Sequence, residues 1–402
     1  MSSADRFDRY HRQQTDHAIS QAYARLGRGS CARSTFTALL QCVRARSAAL
    51  LDAPLAGERH PGVDALVNLS LFAGVWRRQP TAWSGCGTSW QASAGALARH
   101  LVARFPVPAF LASAWYEPDD GGGGRYRDWF VAHAAGAPFR SLDLPVVMTR
   151  SMERIFLASP DHLTIPRAIR RAELTGLGAD APLVEAVLAT RVGGDLGNGG
   201  FWRTVWQFLV ANREGIDLAQ VGPIVDFLDA IRHERVAVET PGGMRWQDPP
   251  QPGFSMRGRT AQSLLRLMDG WHRGLGAATG GLTWPASPLR PMTVEDAPRD
   301  PAAPSTTWHF VELTNSEQLR QESAALRHCV ANYGDRCRRG VSRIWSLRAQ
   351  RGDRTRSVIT IEVDVRRRVV VQARGWGNRL ASGRPLALLR QWAGREHLQL
   401  RI

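Results

Sequence analysis

Polar residues able to act as acids, bases or substrate ligands are concentrated near the end of the chain. A histidine beside a carboxylate can transfer protons, and amide side chains can orient a substrate amide, ribose or phosphate. We predict that His328 acts as the acid and that Glu362 orients it. Gln372 and Asn378 are predicted to hold the substrate. The full predicted catalytic set is His328, Cys329, Tyr333, Glu362, Gln372 and Asn378.

Structural roles are open for the same residues. His328 and Cys329 are adjacent, so on a helix their side chains point apart and cannot simply form a nucleophile–base pair. His328 is also compatible with a structural histidine at a helix edge, and Cys329 with a small buried apolar residue. The sequence contains no complete catalytic signature, so it leaves both an enzyme and a non-enzymatic protein open.

A metal centre is a further alternative. Cys329 and Cys337 stand eight positions apart, which is about 80° around a helix. His328, as an alternative to Cys329, and His309 are the other candidate ligands. The sequence contains neither a CxxC nor an HxxxH spacing. We therefore predict no metal ion and no cofactor.

The segment around His328 is predicted to be helical. Residues 308–313 alternate as a strand, and Thr314 with Glu317 forms a capping box that begins the helix. An apolar stripe with helical spacing follows. Its members are Leu319, Leu326, Val330, Tyr333 and Cys337. We expect one helix that packs this stripe inward and carries His328 at its edge.

A hairpin is predicted to carry the other polar residues. Two runs rich in β-branched residues, 358–363 and 369–372, flank a turn, which is typical of an antiparallel pair. A two-residue turn at 365–366 places Glu362 and Gln372 on opposite faces. A register shifted by one residue places them on the same face. The sequence leaves both registers open.

The whole chain is predicted to have the α+β fold class. A predominantly helical N-terminal region precedes a small C-terminal domain in which helices pack on an antiparallel sheet. The predicted boundaries are 1–148 for the helical N-terminal region, 149–275 for a helical domain, 276–305 for a linker rich in Pro, Gly and Ala, and 306–402 for the α+β domain. Trp202 and Trp206, four positions apart, are expected to pack in a helical core.

The motifs of the last hundred residues resemble those of the PcfJ-like proteins, which occur on conjugative plasmids and in bacterial genomes. The pattern Leu-x-x-Glu-x-x-x-Leu-x-His-Cys-Val-x-x-Tyr spans residues 319–333. It is followed by Ile-Trp-Ser at 344–346, Thr-Ile-Glu-Val at 360–363 and Gln-Ala-Arg-Gly-x-x-Asn-Arg at 372–379. Ser323 departs from the glycine that usually follows the glutamate. The resemblance implies a mobile-element context and the same polar residues, but it implies no reaction.

The charge of the chain favours nucleic acid as a partner. The net charge is +16, and residues 301–402 hold 19 Arg against 8 acidic residues. Such a domain attracts phosphate backbones, although a solvated basic surface without this role is the alternative. The predicted nucleic-acid-binding residues are Arg336, Arg338, Arg339, Arg343, Arg366, Arg367, Arg368, Arg374 and Trp376. Because the chain has no lysine, it cannot use a Walker or Schiff-base lysine.

Composition also restricts location and partners. No run approaches about 18 apolar residues, so no transmembrane helix or membrane partner is predicted. The polar start of the chain argues against a signal peptide. The five cysteines are widely spread, which favours a reduced cytoplasmic protein. The helical N-terminal region is predicted to offer a docking surface for a protein partner.

Overall fold

The structure, a computed structural model, describes the backbone of residues 3–400 except 28, 55–58, 86, 118–123, 241–242, 279–280 and 298–304. Side chains are described over the same ranges except at 3–10, 48, 236–240, 243–244, 272–278, 329, 332, 335 and 378. The chain forms two compact units, Met1–Gly176 and Leu177–Ile402.

The first unit is helical in its described residues. Its helices are α1 (Ser3–Arg25), α2 (Cys31–Arg46), α3 (Pro61–Leu71), α4 (Trp90–Val102), α5 (Arg125–Ala134), α6 (Arg150–Leu157) and α7 (Ile165–Gly176). Short 3-10 turns occur at Ala48–Asp52, Ala73–Val75, Pro80–Ala82, Ala109–Trp115 and Phe139–Ser141. Aromatic rings fill the interior, with Phe139 and Phe156 at 4.3 Å between centroids. Such edge-to-face and tilted ring pairs bury large apolar surfaces between the helices of this unit.

The second unit combines helices with two sheets. Its helices are α8 (Ala181–Leu188), α9 (Gly199–Ala211), α10 (Leu218–Arg232), α11 (Ala261–Ala278), α12 (Ser316–Leu326), α13 (Gly334–Arg338) and α14 (Gly383–Arg395), with 3-10 turns at Arg213–Gly215, Cys329–Tyr333 and Trp376–Asn378. Its strands are β1 (Val236–Thr240), β2 (Gly243–Gln247), β3 (Thr293–Asp296), β4 (Thr306–Leu313), β5 (Arg343–Arg351), β6 (Arg354–Asp364), β7 (Val369–Arg374) and β8 (Gln399–Leu400). The predicted α+β class is confirmed.

The main sheet has the strand order β3-β4-β5-β6-β7-β8. Neighbouring strands are antiparallel except β7 and β8, which run parallel. Strands β1 and β2 form a separate antiparallel pair. The central strands β5 and β6 therefore have a hydrogen-bonded neighbour on each side. Their side chains alternate between the two faces of the sheet.

The two faces of β6 have different chemistry. Ile359, Ile361 and Val363 point into an apolar core that also holds Trp392 of α14. Alternation sends Thr360 and Glu362 to the other face, where both are buried. Helix α12 packs on that second face, and Val330 of the Cys329–Tyr333 turn clusters with Ile344 of β5. One face of β6 is thus apolar, whereas its second, polar face carries the buried residues that form the site.

The predicted single helix around His328 is wrong. Helix α12 ends at Leu326, because Arg327 adopts the left-handed conformation with φ +50°. A 3-10 turn and the short α13 then follow. The predicted cap is also displaced by one residue, since Asn315 accepts from the Gln318 N–H at 2.8 Å.

The hairpin adopts neither the predicted two-residue turn nor its opposite-face register. The turn spans residues 365–368, Glu362 pairs with Gln372, and a bulge follows Glu362. The bulge inserts an extra residue, which brings both polar side chains to one face. The segment interpreted as a linker contributes β3 to the sheet, and Trp284 within it is anchored by an indole N–H bond of 3.0 Å to the Leu313 carbonyl.

The helical part of the second unit follows its sequence pattern closely. Asp180 caps α8 by accepting from the Leu183 N–H at 2.9 Å. Trp202 and Trp206 are at most 1% exposed and stack at 5.4 Å, which confirms their predicted core role. Across the described part of the chain, each helix is too short or too polar to cross a bilayer.

Candidate functional site

His328 is the first residue after the left-handed turn that ends α12. Its side chain is buried, with 3% of its surface exposed. The Ser323 hydroxyl donates to the His328 carbonyl oxygen and holds the chain reversal closed. The reversal brings the imidazole to the polar face of β6, where its Nε2 lies 2.9 Å from the Thr360 hydroxyl oxygen.

Thr360 joins His328 to a second buried group, Glu322. The Thr360 hydroxyl donates to Glu322 Oε1 at 2.8 Å. The hydroxyls of Ser346 and Ser357 donate to Oε2 at 2.9 and 2.7 Å. Glu322 is 1% exposed, and three hydroxyl donors are what a carboxylate needs when water is removed. The residues thus form a chain from carboxylate to hydroxyl to imidazole.

The hydrogen bonds of this chain indicate the tautomer of His328. The single Thr360 hydroxyl proton is donated to Glu322 Oε1. The hydroxyl oxygen then accepts from His328, which places the imidazole proton on Nε2. The other ring nitrogen, Nδ1, is the basic one in neutral His328, as a proton-transfer group requires.

Glu362 belongs to a second polar cluster. Its Oε1 accepts from Arg336 at 3.0 Å and from the Ser342 hydroxyl at 2.6 Å. Its Oε2 accepts from Gln372 Nε2 at 2.9 Å, and the same nitrogen donates to the Tyr333 hydroxyl at 2.8 Å. Glu362 and Gln372, whose relative position the sequence left open, thus share a direct hydrogen bond. Thr360 couples His328 to Glu322, and not to Glu362 as predicted.

The two clusters line one cavity of about 50 Å³. Its lining includes His328, Tyr333, Thr360, Glu362, Gln372 and Arg374. The lining also includes Ala189, Thr190 and Arg191 of the turn after α8, and Gly222 and Asp226 of α10, all in the same unit. This volume admits a few water molecules but no nucleotide. A large substrate would therefore present only its reacting group to these side chains.

Arg191, in the turn after α8, is a cationic residue of the cavity lining. Its guanidinium pairs with Asp226 at 3.2 Å and with Asp229 at 3.3 Å, and it also bonds Glu234. Burial raises the pKa of Asp229, which the charge of Arg191 opposes. Because its acidic partners fix the guanidinium in place, Arg191 is a rigid part of the cavity wall.

The structure thus brings together four of the predicted catalytic residues, His328, Tyr333, Glu362 and Gln372, around one cavity. The side chains of Cys329 and Asn378 lie outside the described residues. The backbone of both residues lies in 3-10 turns. Their catalytic roles remain predictions.

Sequence reasoning missed Glu322 and Thr360. A signal for Glu322 was available, because positions 319, 322 and 326 share one face of a helix. A carboxylate among buried leucines must find polar partners inside the protein, and such a group is a candidate functional residue. Thr360 stands one residue from Ile361 in an alternating strand, so its face could be inferred but its partners could not.

Cys337 has the chemistry of a core residue. Burial raises the pKa of its thiol to about 12, so the thiolate needed for metal binding or nucleophilic attack is scarce at neutral pH. Cys337 packs with Leu319, Val330 and Ile344. Among the residues that the structure describes, no group of three or more His, Cys, Asp or Glu is arranged to hold a metal ion.

The predicted nucleic-acid-binding residues divide into two sets. Arg338, Arg339, Arg366, Arg367 and Trp376 are exposed. Arg336 and Arg368 are exposed as well, but Arg336 binds the buried Glu362 and Arg368 binds the Glu396 and His397 carbonyls. Arg343 and Arg374 are half-buried; Arg343 binds the Cys337 carbonyl and Arg374 lines the cavity. The first five residues remain the better candidates for nucleic-acid contacts.

Comparison with known proteins identifies the region that carries the site. Residues 302–384 match the family model described as PcfJ-like protein. No curated protein and no solved structure matches the chain. The matched region contains His328 with both buried carboxylates, whereas Arg191 and Asp226 lie outside it. The match confirms the resemblance seen in the motifs, and we refer to residues 302–384 as the PcfJ-like domain because of that similarity.

Proposed function

We propose that the PcfJ-like domain is an acid–base hydrolase or transferase that acts on nucleic acid. The observation that carries this proposal is the buried chain from Glu322 through Thr360 to His328, which ends at a polar cavity. Burying a carboxylate and an imidazole in this way is costly for stability, and groups with such environments are concentrated at functional sites.

His328 is the proton-transfer group in this proposal. In hydrolysis of a phosphodiester, His328 Nδ1 takes a proton from water while the water oxygen bonds to phosphorus. The other phosphorus–oxygen bond breaks, and the proton passes to the leaving oxygen. Thr360 and Glu322 are positioning residues, because they hold the imidazole and stabilise its charged form without touching the substrate.

The second cluster supports substrate orientation. Gln372 donates to both Glu362 and the Tyr333 hydroxyl, so its amide plane is fixed. A fixed amide and a phenol at the edge of a small cavity can direct a phosphate or ribose group. In a transferase, a substrate hydroxyl would replace the water.

The test is turnover of end-labelled single-stranded DNA, single-stranded RNA and duplex DNA by the full chain. His328→Gln is expected to lower the rate at least about 100-fold, which is the usual contribution of a general acid or base. His309→Gln is the matched control, since this histidine lies on β4 and contacts Thr293 and Gln350. Wild-type protein that converts none of these nucleic acids, or an H328Q variant with wild-type turnover, would refute the proposal.

A nucleic-acid-binding protein of mobile elements without catalysis is the second candidate. It is favoured by the exposed arginines Arg338, Arg339, Arg366 and Arg367 in a domain with a net charge of +11, from 19 Arg and 8 acidic residues. Electrophoretic mobility of DNA and RNA should then depend on salt, because each neutralised phosphate releases counterions. Unchanged migration of both at low salt would remove this candidate. Binding that survives in H328Q while turnover is absent from the wild type would favour it over the enzyme.

A further inference from the structure

Trp376 lies at the surface, although neighbouring tryptophans form the core. Its side chain is 43% exposed, whereas Trp345 and Trp392 are at most 1% exposed. The guanidiniums of Arg327 and Arg379 lie 5.5 and 5.4 Å from the centre of its ring. Both arginines are themselves exposed. An exposed indole beside two cations has the composition of sites that stack an unpaired base and neutralise its phosphate.

The loop that carries Trp376 is held tightly. The Gly375 N–H donates to the Arg379 carbonyl at 2.8 Å, which closes the loop on itself. Gly377 has φ +60°, and a Cβ at this position would lie 3.1 Å from the Ala219 carbonyl oxygen of α10. The loop therefore packs closely on α10 of the same unit and leaves little freedom to its backbone. A fixed loop orders the indole before a ligand arrives and lowers the entropy cost of stacking.

The loop is also adjacent to the cavity along the chain. Arg327 immediately precedes His328, and Trp376 follows the cavity-lining Arg374 by two residues. A base stacked on Trp376 would bring its own backbone beside the residues that line the cavity. The cavity itself is too small for a nucleotide, so a binding surface outside it is what a nucleic-acid substrate requires.

We propose that Arg327, Trp376 and Arg379 form a stacking site for an unpaired base, and that the substrate class is therefore single-stranded nucleic acid. The inference rests on the proposed function, because it names the substrate of the His328 site. The base stacks on the indole in place of one guanidinium, and the displaced arginine pairs with the adjacent phosphate. Duplex DNA does not fit this site, since its base faces are already stacked on one another.

The experiment is binding of short fluorescein-labelled single strands, followed by fluorescence anisotropy with the full chain. Trp376→Ala is expected to weaken binding about tenfold, and Trp376→Phe to retain most of the affinity because an aromatic face remains. Trp246→Ala is the matched control, since Trp246 is 52% exposed and lies under the Arg339 guanidinium at 5.2 Å. Arg379→Gln is expected to reduce the slope of log affinity against log salt by about 0.7.

The outcomes separate the stacking site from the catalytic proposal. Equal affinities of W376A and the wild type for single strands would overturn the stacking site, as would equal losses in W376A and W246A. A loss that is as large for duplex DNA as for single strands would also overturn it, and would favour a general electrostatic surface. Turnover of the same strands by H328Q is measured in parallel. If H328Q turns over at the wild-type rate while W376A binds weakly, the catalytic role of His328 is refuted and the stacking site stands. If H328Q is inactive while W376A binds like the wild type, the stacking site is refuted and the catalytic role stands.

Discussion

Replacing Thr360 with valine tests the buried chain at its central link. Valine keeps the shape of threonine and removes only the hydroxyl, which is 2.9 Å from His328 Nε2 and 2.8 Å from Glu322 Oε1. Both partners then lose a hydrogen bond in a place that water reaches poorly, since Thr360 is 6% exposed. An unsatisfied buried group costs about 1–3 kcal/mol. Glu322 keeps its two serine donors, so its cost is about 1 kcal/mol, and with about 1–3 kcal/mol for His328 we expect a loss of about 2–4 kcal/mol in local stability.

Hydrogen exchange of the β6 amides in the full chain measures this loss without unfolding the other unit. A loss of about 2–4 kcal/mol corresponds to exchange that is about 30- to 1,000-fold faster. Thr355→Val is the matched control, because Thr355 is an exposed residue of the same strand and its replacement should change the opening free energy by less than about 0.5 kcal/mol. Equal exchange in T360V and T355V would refute the reasoning that Thr360 bridges two buried groups.

Three further predictions concern other titratable groups. Glu322→Gln should move the His328 proton from Nε2 to Nδ1. The glutamine oxygen stays with the two serine donors, so the glutamine NH₂ donates to the Thr360 hydroxyl, and that hydroxyl then donates to His328 Nε2. The ¹⁵N chemical shifts of the imidazole report the tautomer, and an unchanged tautomer would contradict this prediction. Burial lowers the pKa of His60 below 6.5, so the unfolded state binds a proton more readily than the folded state, and the protein should lose stability as the pH falls below 6.5. Between pH 8 and pH 5 the melting temperature of His60→Asn should therefore fall less than that of the wild type. Equal decreases in the two proteins would count against this prediction. Burial raises the pKa of the Cys337 thiol to about 12, so Cys337 should be alkylated far more slowly at neutral pH than the exposed Cys31. Mass spectrometry of partly labelled protein measures both alkylation rates. Similar rates would show that Cys337 is accessible and contradict the prediction.

The polar face of the sheet explains why the two buried carboxylates differ in character. Glu362 is paired with the partly exposed Arg336, so one side of its cluster reaches solvent. Glu322 accepts hydrogen bonds from three hydroxyls, and one of these, Thr360, links it to His328. Removing either carboxylate would strand several donors, which makes the face costly to alter.

Local sequence patterns determined the fold class and the faces of the strands. Alternation in residues 358–363 places Thr360 and Glu362 on one side of β6, because successive side chains of a strand point to opposite faces. The helical spacing of Trp202 and Trp206 was likewise sufficient to predict their place in the core. Each of these features depends on residues that are close together in the chain.

The composition of the site was decided by contacts between distant residues. Arg327 ends α12 in a left-handed conformation that its residue type rarely adopts, so no local pattern predicted that His328 leaves the helix. The bulge after Glu362 set the register, and a strand's sequence alone specifies register weakly. The position of Glu322 in the site depends on its hydrogen bonds to Ser346 of β5 and Thr360 of β6, which are distant from it in the sequence. Long-range packing therefore determines which carboxylate is coupled to His328. Hydrogen bonds between separate strands and helices produce no periodic pattern in the sequence, so they could not be predicted from it.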